Sequence, residues 1–224
     1  SAQDLTAANA TLTGDVTVGS GTAADRKIVF DGNAQDYHIG LDDSADSLIM
    51  GKGSTLGTTS YIVVDANGVV TKPKQPCFRA RRSNTAGTTQ GFQGNIIFDS
   101  KTLDLGNNYD TSNGRFTAPV AGTYYFSHAG LGATGTGGTV HSSGASWHLE
   151  FLLNGTRTGF QFYHYAGNPT AGGTQSEYVN SYIDMVITLN ANDYITIQLP
   201  DGTDSYYSDT STYYDTYFQG FLIA

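Results

Sequence analysis

The chain has 224 residues and a formal net charge of -9, from 11 Lys and Arg against 20 Asp and Glu. Charged residues make up only 14% of it, while Gly (28) and Tyr (15) are abundant, a composition typical of short strands and turns rather than helices. The acidic balance argues against nucleic acid and anionic membrane surfaces as partners, and no apolar run approaches the roughly 20 residues of a membrane helix.

The first part of the chain is predicted to be a polar lead-in segment, residues 1–16, followed by a β-rich shaft or neck domain, residues 17–74. Because a layer this small contains few large apolar side chains, we expect it to associate with copies of itself. Its short apolar runs recur about every ten residues between turns rich in Asp, Gly and Ser: KIVF (27–30), YHIGL (37–41), SLIM (47–50) and YIVVDANGVVT (61–71). The last run predicts a hairpin around Asn67-Gly68.

A domain boundary is predicted at TKPKQP (71–76), because two prolines within four residues cannot continue a strand ladder. Residues 75–224 then contain about ten short strand-like runs with no helical periodicity, which favours an all-β jelly-roll sandwich. The single cysteine, Cys77, excludes an internal disulfide and a multi-cysteine metal site. We expect it to be a small buried hydrophobic residue.

Aromatic residues in the second domain follow a fixed spacing, with Asp and Gly at set positions between them. The positions are Phe98, Asp104, Tyr109, Phe116, Gly122, Tyr124 and Phe126, followed by His128. This order resembles the signature of the C1q domain, a family of C1q/tumour-necrosis-factor-like jelly rolls, in which the last position is Phe or Tyr. Three later segments resemble the family in the same order: LLNGTR (152–157), LNANDYITIQL (189–199) and YFQGFLIA (217–224).

The resemblance covers residues 75–224 and implies a threefold homotrimer. Residues two apart on a strand share a face, so Tyr124 and Phe126 are predicted to point into one core together with Phe98 and Phe116. These aromatics are therefore predicted to be structural. Gly122 is predicted to permit a tight corner.

Residues 13–71 resemble segments common in structural fibre proteins of tailed bacteriophages, particularly marine ones. Collagen-like Gly-X-Y repeats, the usual stalk of animal C1q proteins, are absent from the sequence. The two resemblances together imply a structural virion fibre protein, located in a fibre or appendage, with a C1q-like tip that binds a glycan or protein receptor on the host surface. One alternative is a secreted or surface-displayed bacterial adhesion or interaction module, which would be extracellular; another is a fibre-borne polysaccharide depolymerase.

The sequence favours a protein that is not an enzyme, because no nucleophile or metalloprotease motif accompanies its histidines. The segment from Pro200 to Gly220 interleaves tyrosines with aspartates, a mixture suited to contacting sugars or protein. The predicted receptor contacts are Tyr206, Tyr207, Asp209, Tyr213 and Tyr214.

Some members of the resembled family bind Ca²⁺ near the trimer axis, so the resemblance makes calcium a candidate cofactor here. The candidate oxygen ligands are Glu177, Asn180 and Asp184, although they do not reproduce the family's Asp positions. The basic cluster RARR (79–82) is expected to complement the acidic face of a neighbouring copy.

Overall fold

The structure is a computed structural model in which every regular element of the described residues is a β-strand, so the all-β prediction is confirmed. The chain divides into two compact units, Ser1–Lys74 and Gln75–Ala224. No helix in the described part of the chain is long and apolar enough to cross a bilayer. The described residues are 9–82, 90–91, 94–134, 146–165, 178–200, 204–206 and 216–224.

The first unit contains a five-stranded antiparallel sheet in which neighbours in sequence are neighbours in space. Its strands are β1 (Arg26–Phe30), β2 (Tyr37–Asp42), β3 (Ser47–Lys52), β4 (Ser60–Val64) and β5 (Val70–Thr71). This simple meander follows from the short turns between successive apolar runs.

The predicted hairpin joins β4 to β5. Asp65 Oδ1 accepts hydrogen bonds from the backbone N–H groups of Asn67 (2.8 Å) and Val69 (2.9 Å). Gly68 takes a φ of 80°, which a glycine adopts without steric cost. Hydrogen bonds from backbone N–H groups, of which that from Val69 has the largest effect, lower the pKa of the Asp65 carboxyl below its usual value.

The second unit consists of two antiparallel sheets. Its strands are β6 (Cys77–Arg81), β7 (Gln90–Gly91), β8 (Gly94–Asn95), β9 (Ser100–Leu105), β10 (Tyr109–Asp110), β11 (Arg115–Thr117), β12 (Gly122–Thr134), β13 (Ser146–Leu153), β14 (Thr156–Tyr165), β15 (Tyr178–Leu189), β16 (Tyr194–Leu199), β17 (Asp204–Tyr206) and β18 (Tyr217–Leu222). A six-stranded sheet has the order β10-β11-β16-β13-β14, with β8 beside β16. A seven-stranded sheet has the order β7-β17-β12-β18-β6-β9, with β15 beside β12.

Aromatic side chains from both sheets fill the core between them. The Phe78 ring lies 4.8 Å from Phe116 and 4.8 Å from Phe218, stacked on the first and edge-on to the second. Phe116 also meets Phe126 edge-on at 5.3 Å. Such ring pairs stabilise the fold beyond the area that they bury, by about 0.5–1.5 kcal/mol each.

The structure places the aromatic residues of the C1q-like signature in this core. Those that are at most 2% exposed are Phe98, Tyr109, Phe116, Tyr124 and Phe126. Asp104 instead closes a turn, because its carboxylate accepts hydrogen bonds from the backbone N–H groups of Asn108 and Tyr109 and from Lys101 Nζ (2.9, 3.2 and 2.9 Å).

Two sequence-based expectations for single residues were wrong. Gly122 does not form a corner: it begins β12, and a Cβ there would lie 2.7 Å from the carbonyl oxygen of Ala224, so close backbone approach requires the glycine. Cys77 is only half-buried, because it lies on the solvent side of β6, opposite Leu105. Partial burial raises the pKa of its thiol.

Candidate interaction surface

The side of the seven-stranded sheet that faces away from the core carries an apolar row. We call this side the outer face. Cross-strand partners share a face, and they place the following residues in one row: Val186, Tyr125, Phe221, Cys77 and Leu105. Val186 is 56% exposed and Phe221 45%, and the Tyr125 and Phe221 rings are 5.3 Å apart.

A second row on the outer face contains one acidic and one basic residue. Its members are Asp184, Ser127, Gln219, Arg79 and Leu103. Asp184 lies on β15 at one edge of this face, and Arg79 lies on β6 towards the other. Gln219 Nε2 donates to Ser127 Oγ (3.1 Å) between them. Opposite charges therefore lie towards opposite edges of the same face.

A third row is rich in tyrosine and contains Tyr182, Ala129, Tyr217 and Arg81. The hydroxyl groups of Tyr125 and Tyr182 are 3.2 Å apart, and this hydrogen bond raises the pKa of Tyr182 to about 12. The guanidinium of Arg79 lies 4.4 Å from the centre of the Tyr217 ring, within cation–π range.

The basic cluster from Arg79 to Arg82 does not form one continuous surface. Arg79 and Arg81 lie on the outer face, whereas Ala80 is buried in the core, because a strand sends alternate side chains to opposite sides. Arg82 follows the strand and is also buried.

The structure does not bring Asn180 and Asp184 together as ligands of one ion. Both are exposed on the same face of β15, and four residues of strand separate them by about 13 Å. Glu177 lies outside the described residues. The described residues contain no cluster of three or more His, Cys, Asp or Glu side chains that could hold a metal ion, and calcium binding remains a prediction.

Tyr206 is the one predicted receptor contact within a described strand. It ends β17, where it pairs with Gly132 of β12 and Gln90 of β7. The other four predicted contacts, Tyr207, Asp209, Tyr213 and Tyr214, lie outside the described residues.

A serine–histidine pair occurs in the second unit, but it is sealed from solvent. His128 Nε2 lies 3.2 Å from Ser181 Oγ, and His128 Nδ1 lies 2.8 Å from the carbonyl oxygen of Tyr217. The carbonyl can only accept, so Nδ1 carries the hydrogen. His128 is 0% exposed and Ser181 3%, and no substrate reaches them in this arrangement.

A polar cleft of about 530 Å³ lies beside the turn closed by Asp104. Its lysine, Lys101, is already engaged: Nζ donates to Asp104 Oδ2 (2.9 Å), Asn107 Oδ1 (2.7 Å) and the Tyr109 carbonyl (3.3 Å). These contacts give the cleft a structural role in holding the turn.

The rows of the outer face were not identified from the sequence. Their members come from five strands between Cys77 and Leu222, and the charged residues of β9 (SKTLDL) obscure its alternation. The available signal was the alternation within β15, where Tyr182, Asp184 and Val186 interleave with buried Ile183 and Met185.

The chain is similar to known proteins. The family model described as C1q domain matches residues 77–223. The mouse (Mus musculus) collagen alpha-1(X) chain is 30% identical over 135 residues, which are 58% of this chain and 16% of that protein. A solved structure, the globular domain of zebrafish complement 1qA protein, has 20% identity and a TM-score of 0.46 over 67% of this chain and 98% of its own. The chain belongs to the C1q domain family.

Proposed function

We propose that this chain is a structural virion fibre protein, a homotrimer whose C1q domain is the tip that binds a glycan or protein on the host surface. The observation that carries the proposal is the outer face of the seven-stranded sheet. Exposed large apolar side chains in a continuous row, such as Val186 and Phe221, are typical of a surface that another protein covers.

The charges of this face suit a contact between opposite edges of two copies. Asp184 lies at one edge and Arg79 towards the other, so a head-to-tail contact brings acid to base. Head-to-tail contacts close into rings when the rotation permits. Three copies then offer three receptor sites, which raises avidity.

A recognition role, rather than catalysis, is supported by the state of the polar groups in the C1q domain. The Ser181 and His128 side chains are enclosed in protein, and the Glu150 carboxylate is held by Arg157 Nε at 2.7 Å. These two arrangements satisfy buried polar atoms, and neither presents an activated nucleophile to solvent.

The test of the receptor site is binding of the purified full chain to glycan arrays and whole bacterial cells. A variant with Tyr206, Tyr207, Tyr213 and Tyr214 changed to Ser is expected to bind at least about tenfold more weakly, because aromatic contacts dominate such interfaces. Tyr163→Ser is the matched control, since Tyr163 is 56% exposed on the other sheet. Equal binding by the wild-type chain and the four-residue variant would remove this segment from the proposal.

A second candidate is a secreted or surface-displayed bacterial adhesion module. The similarity to a collagen chain favours this second candidate, because a protein named as a collagen contains a segment similar to this chain. The two candidates differ in gene context: a long shaft sequence beside virion genes supports the fibre, and a secretion signal with a collagen-like stalk supports the adhesion module.

A further inference from the structure

The sheet of the first unit has one face lined almost entirely by apolar side chains. We call this side of the sheet the apolar face. The strand register places ten apolar residues on it: Ile28, Phe30, Tyr37, Ile39, Leu41, Leu48, Met50, Ile62, Val64 and Val70. Seven of them are between 45% and 61% exposed: Ile28, Phe30, Tyr37, Leu41, Leu48, Met50 and Val70. The described part of the unit leaves this face in contact with solvent.

The opposite face is already closed by the chain itself. Ile49 and His38 are buried there, and His38 Nδ1 donates to the carbonyl of Gly53 (2.8 Å). The side chain of Leu56 packs against Gly40, where a Cβ would approach it to 2.8 Å. The loop that contains Gly53 and Leu56 therefore covers this face of the sheet. The apolar face, on the other side of the sheet, has no such cover from the described part of the unit.

The area of the apolar face is enough for a stable contact. A large apolar side chain exposes on the order of 150 Å² when it is free, so seven at about half exposure leave roughly 500 Å² per copy. That is towards the upper end of the range for the largest apolar patch on typical monomers. Two such faces together bury roughly 1,000 Å², about the minimum for a specific protein interface.

The pattern of charge favours another copy of the same chain as the occupant. Symmetric association brings identical residues together, which is favourable only if the centre of the patch is uncharged. The central row contains the aliphatic or thioether residues Ile28, Ile39 and Met50. The charged residues of this face, Arg26 and Lys52, lie at its margin, beside Leu41 and Tyr37 respectively.

We propose that the apolar face packs against the same face of other copies, which makes the first unit a self-association module separate from the C1q domain. The proposal does not rest on the proposed function, because it uses residues of the other unit. It also gives a surface to the expectation, drawn from the sequence, that this small domain associates with itself. Copies joined by either unit hold the other at high local concentration.

Site-directed cross-linking of the full chain tests the orientation of this contact. In a Cys77→Ser background, Ile28→Cys and Lys27→Cys place thiols at adjacent exposed positions of β1 that point to opposite faces. A bismaleimide with a reach of about 10 Å matches the spacing of packed sheets. Ile28→Cys is expected to give covalent dimers at micromolar concentration, because each chain carries one thiol, while Lys27→Cys stays at one chain. No product from Ile28→Cys, or equal products from both, would overturn the proposal.

A second experiment separates this module from the C1q outer face. Val186→Asp places a carboxylate in the apolar row of the outer face, and sedimentation velocity at tens of micromolar is expected to find this variant still associated. Adding Met50→Asp is expected to give single chains, while adding Thr71→Asp, on the opposite face of the first sheet, is not. If Val186→Asp alone is already a single chain, the apolar face does not associate, and trimerisation through the C1q domain stands.

Discussion

His128 occupies a position at which C1q domains carry Phe or Tyr, and its surroundings explain how an imidazole is accommodated in a core. The ring lies edge-on to Phe98 with centroids 5.7 Å apart. Its polar atoms contact the Tyr217 carbonyl and Ser181. Burial disfavours the charged form and lowers the pKa of His128 to about 3, so the imidazole is neutral in the folded protein at neutral pH.

This burial predicts that the fold loses stability as the pH falls below about 6.5. The unfolded chain then binds a proton at His128 that the folded chain does not, so the free energy of unfolding falls with decreasing pH. The contribution of His128 is full above the unfolded pKa and declines by up to about 1.4 kcal/mol per pH unit towards pH 3.

Denaturant unfolding of the wild type and His128→Phe at fixed protein concentration, from pH 7 to pH 4, measures this contribution. Carboxylates titrate alike in both proteins and cancel in the difference. The loss of the hydrogen bond to Tyr217 is a constant offset, because it does not depend on pH. A difference between the two proteins that is the same at every pH would contradict the account of His128.

At the scale of the strands, the sequence was most informative where a turn needs a particular backbone conformation. The LLNGTR segment, which resembles the C1q family, forms an Asn-Gly hairpin between β13 and β14, with φ of 51° at Asn154 and 79° at Gly155. In LNANDYITIQL, the residue with positive φ is Asn192 (73°). Asparagine tolerates this region better than other residues with side chains, which is why such turns can be read from the sequence.

The sequence was least informative about faces and close approaches. Gly122 and Gly220 both lie in strands, and their role depends on atoms distant in sequence, which no local pattern encodes. The same limitation hid the apolar face of the first unit: Ile28, Tyr37 and Met50 belong to three strands, and only their register places them side by side.

Gly220 provides the clearest prediction at this scale. It pairs with Phe126 between β18 and β12, and a Cβ at this position would lie 2.4 Å from the Phe126 ring. Gly220→Ala is therefore expected to lower the free energy of unfolding by about 1–3 kcal/mol through overpacking.

A double-mutant cycle measured by denaturant unfolding checks the cause. Phe126→Leu removes part of the ring, so it should cost less stability in the Gly220→Ala background than in the wild type. Additive effects of the two substitutions would mean that the ring does not set the requirement for glycine at position 220.

At the scale of the whole molecule, both units expose apolar surface that would be more stable if it were covered. Each has a sheet with one face packed inside its own unit and another face that exposes large apolar side chains: Phe30 (61%) in the first unit and Val186 (56%) in the second. Leaving such patches in water forgoes ~25 cal/mol per Å² of apolar surface. We therefore expect copies of the chain to associate, as the C1q resemblance implies.

Sedimentation equilibrium of the unmodified full chain at micromolar concentration tests this requirement most directly. One chain has a mass of 23.8 kDa. We expect a single species of three times that mass, because other copies in a trimer then cover both exposed faces. A species that stays at 23.8 kDa across the concentration range would contradict it.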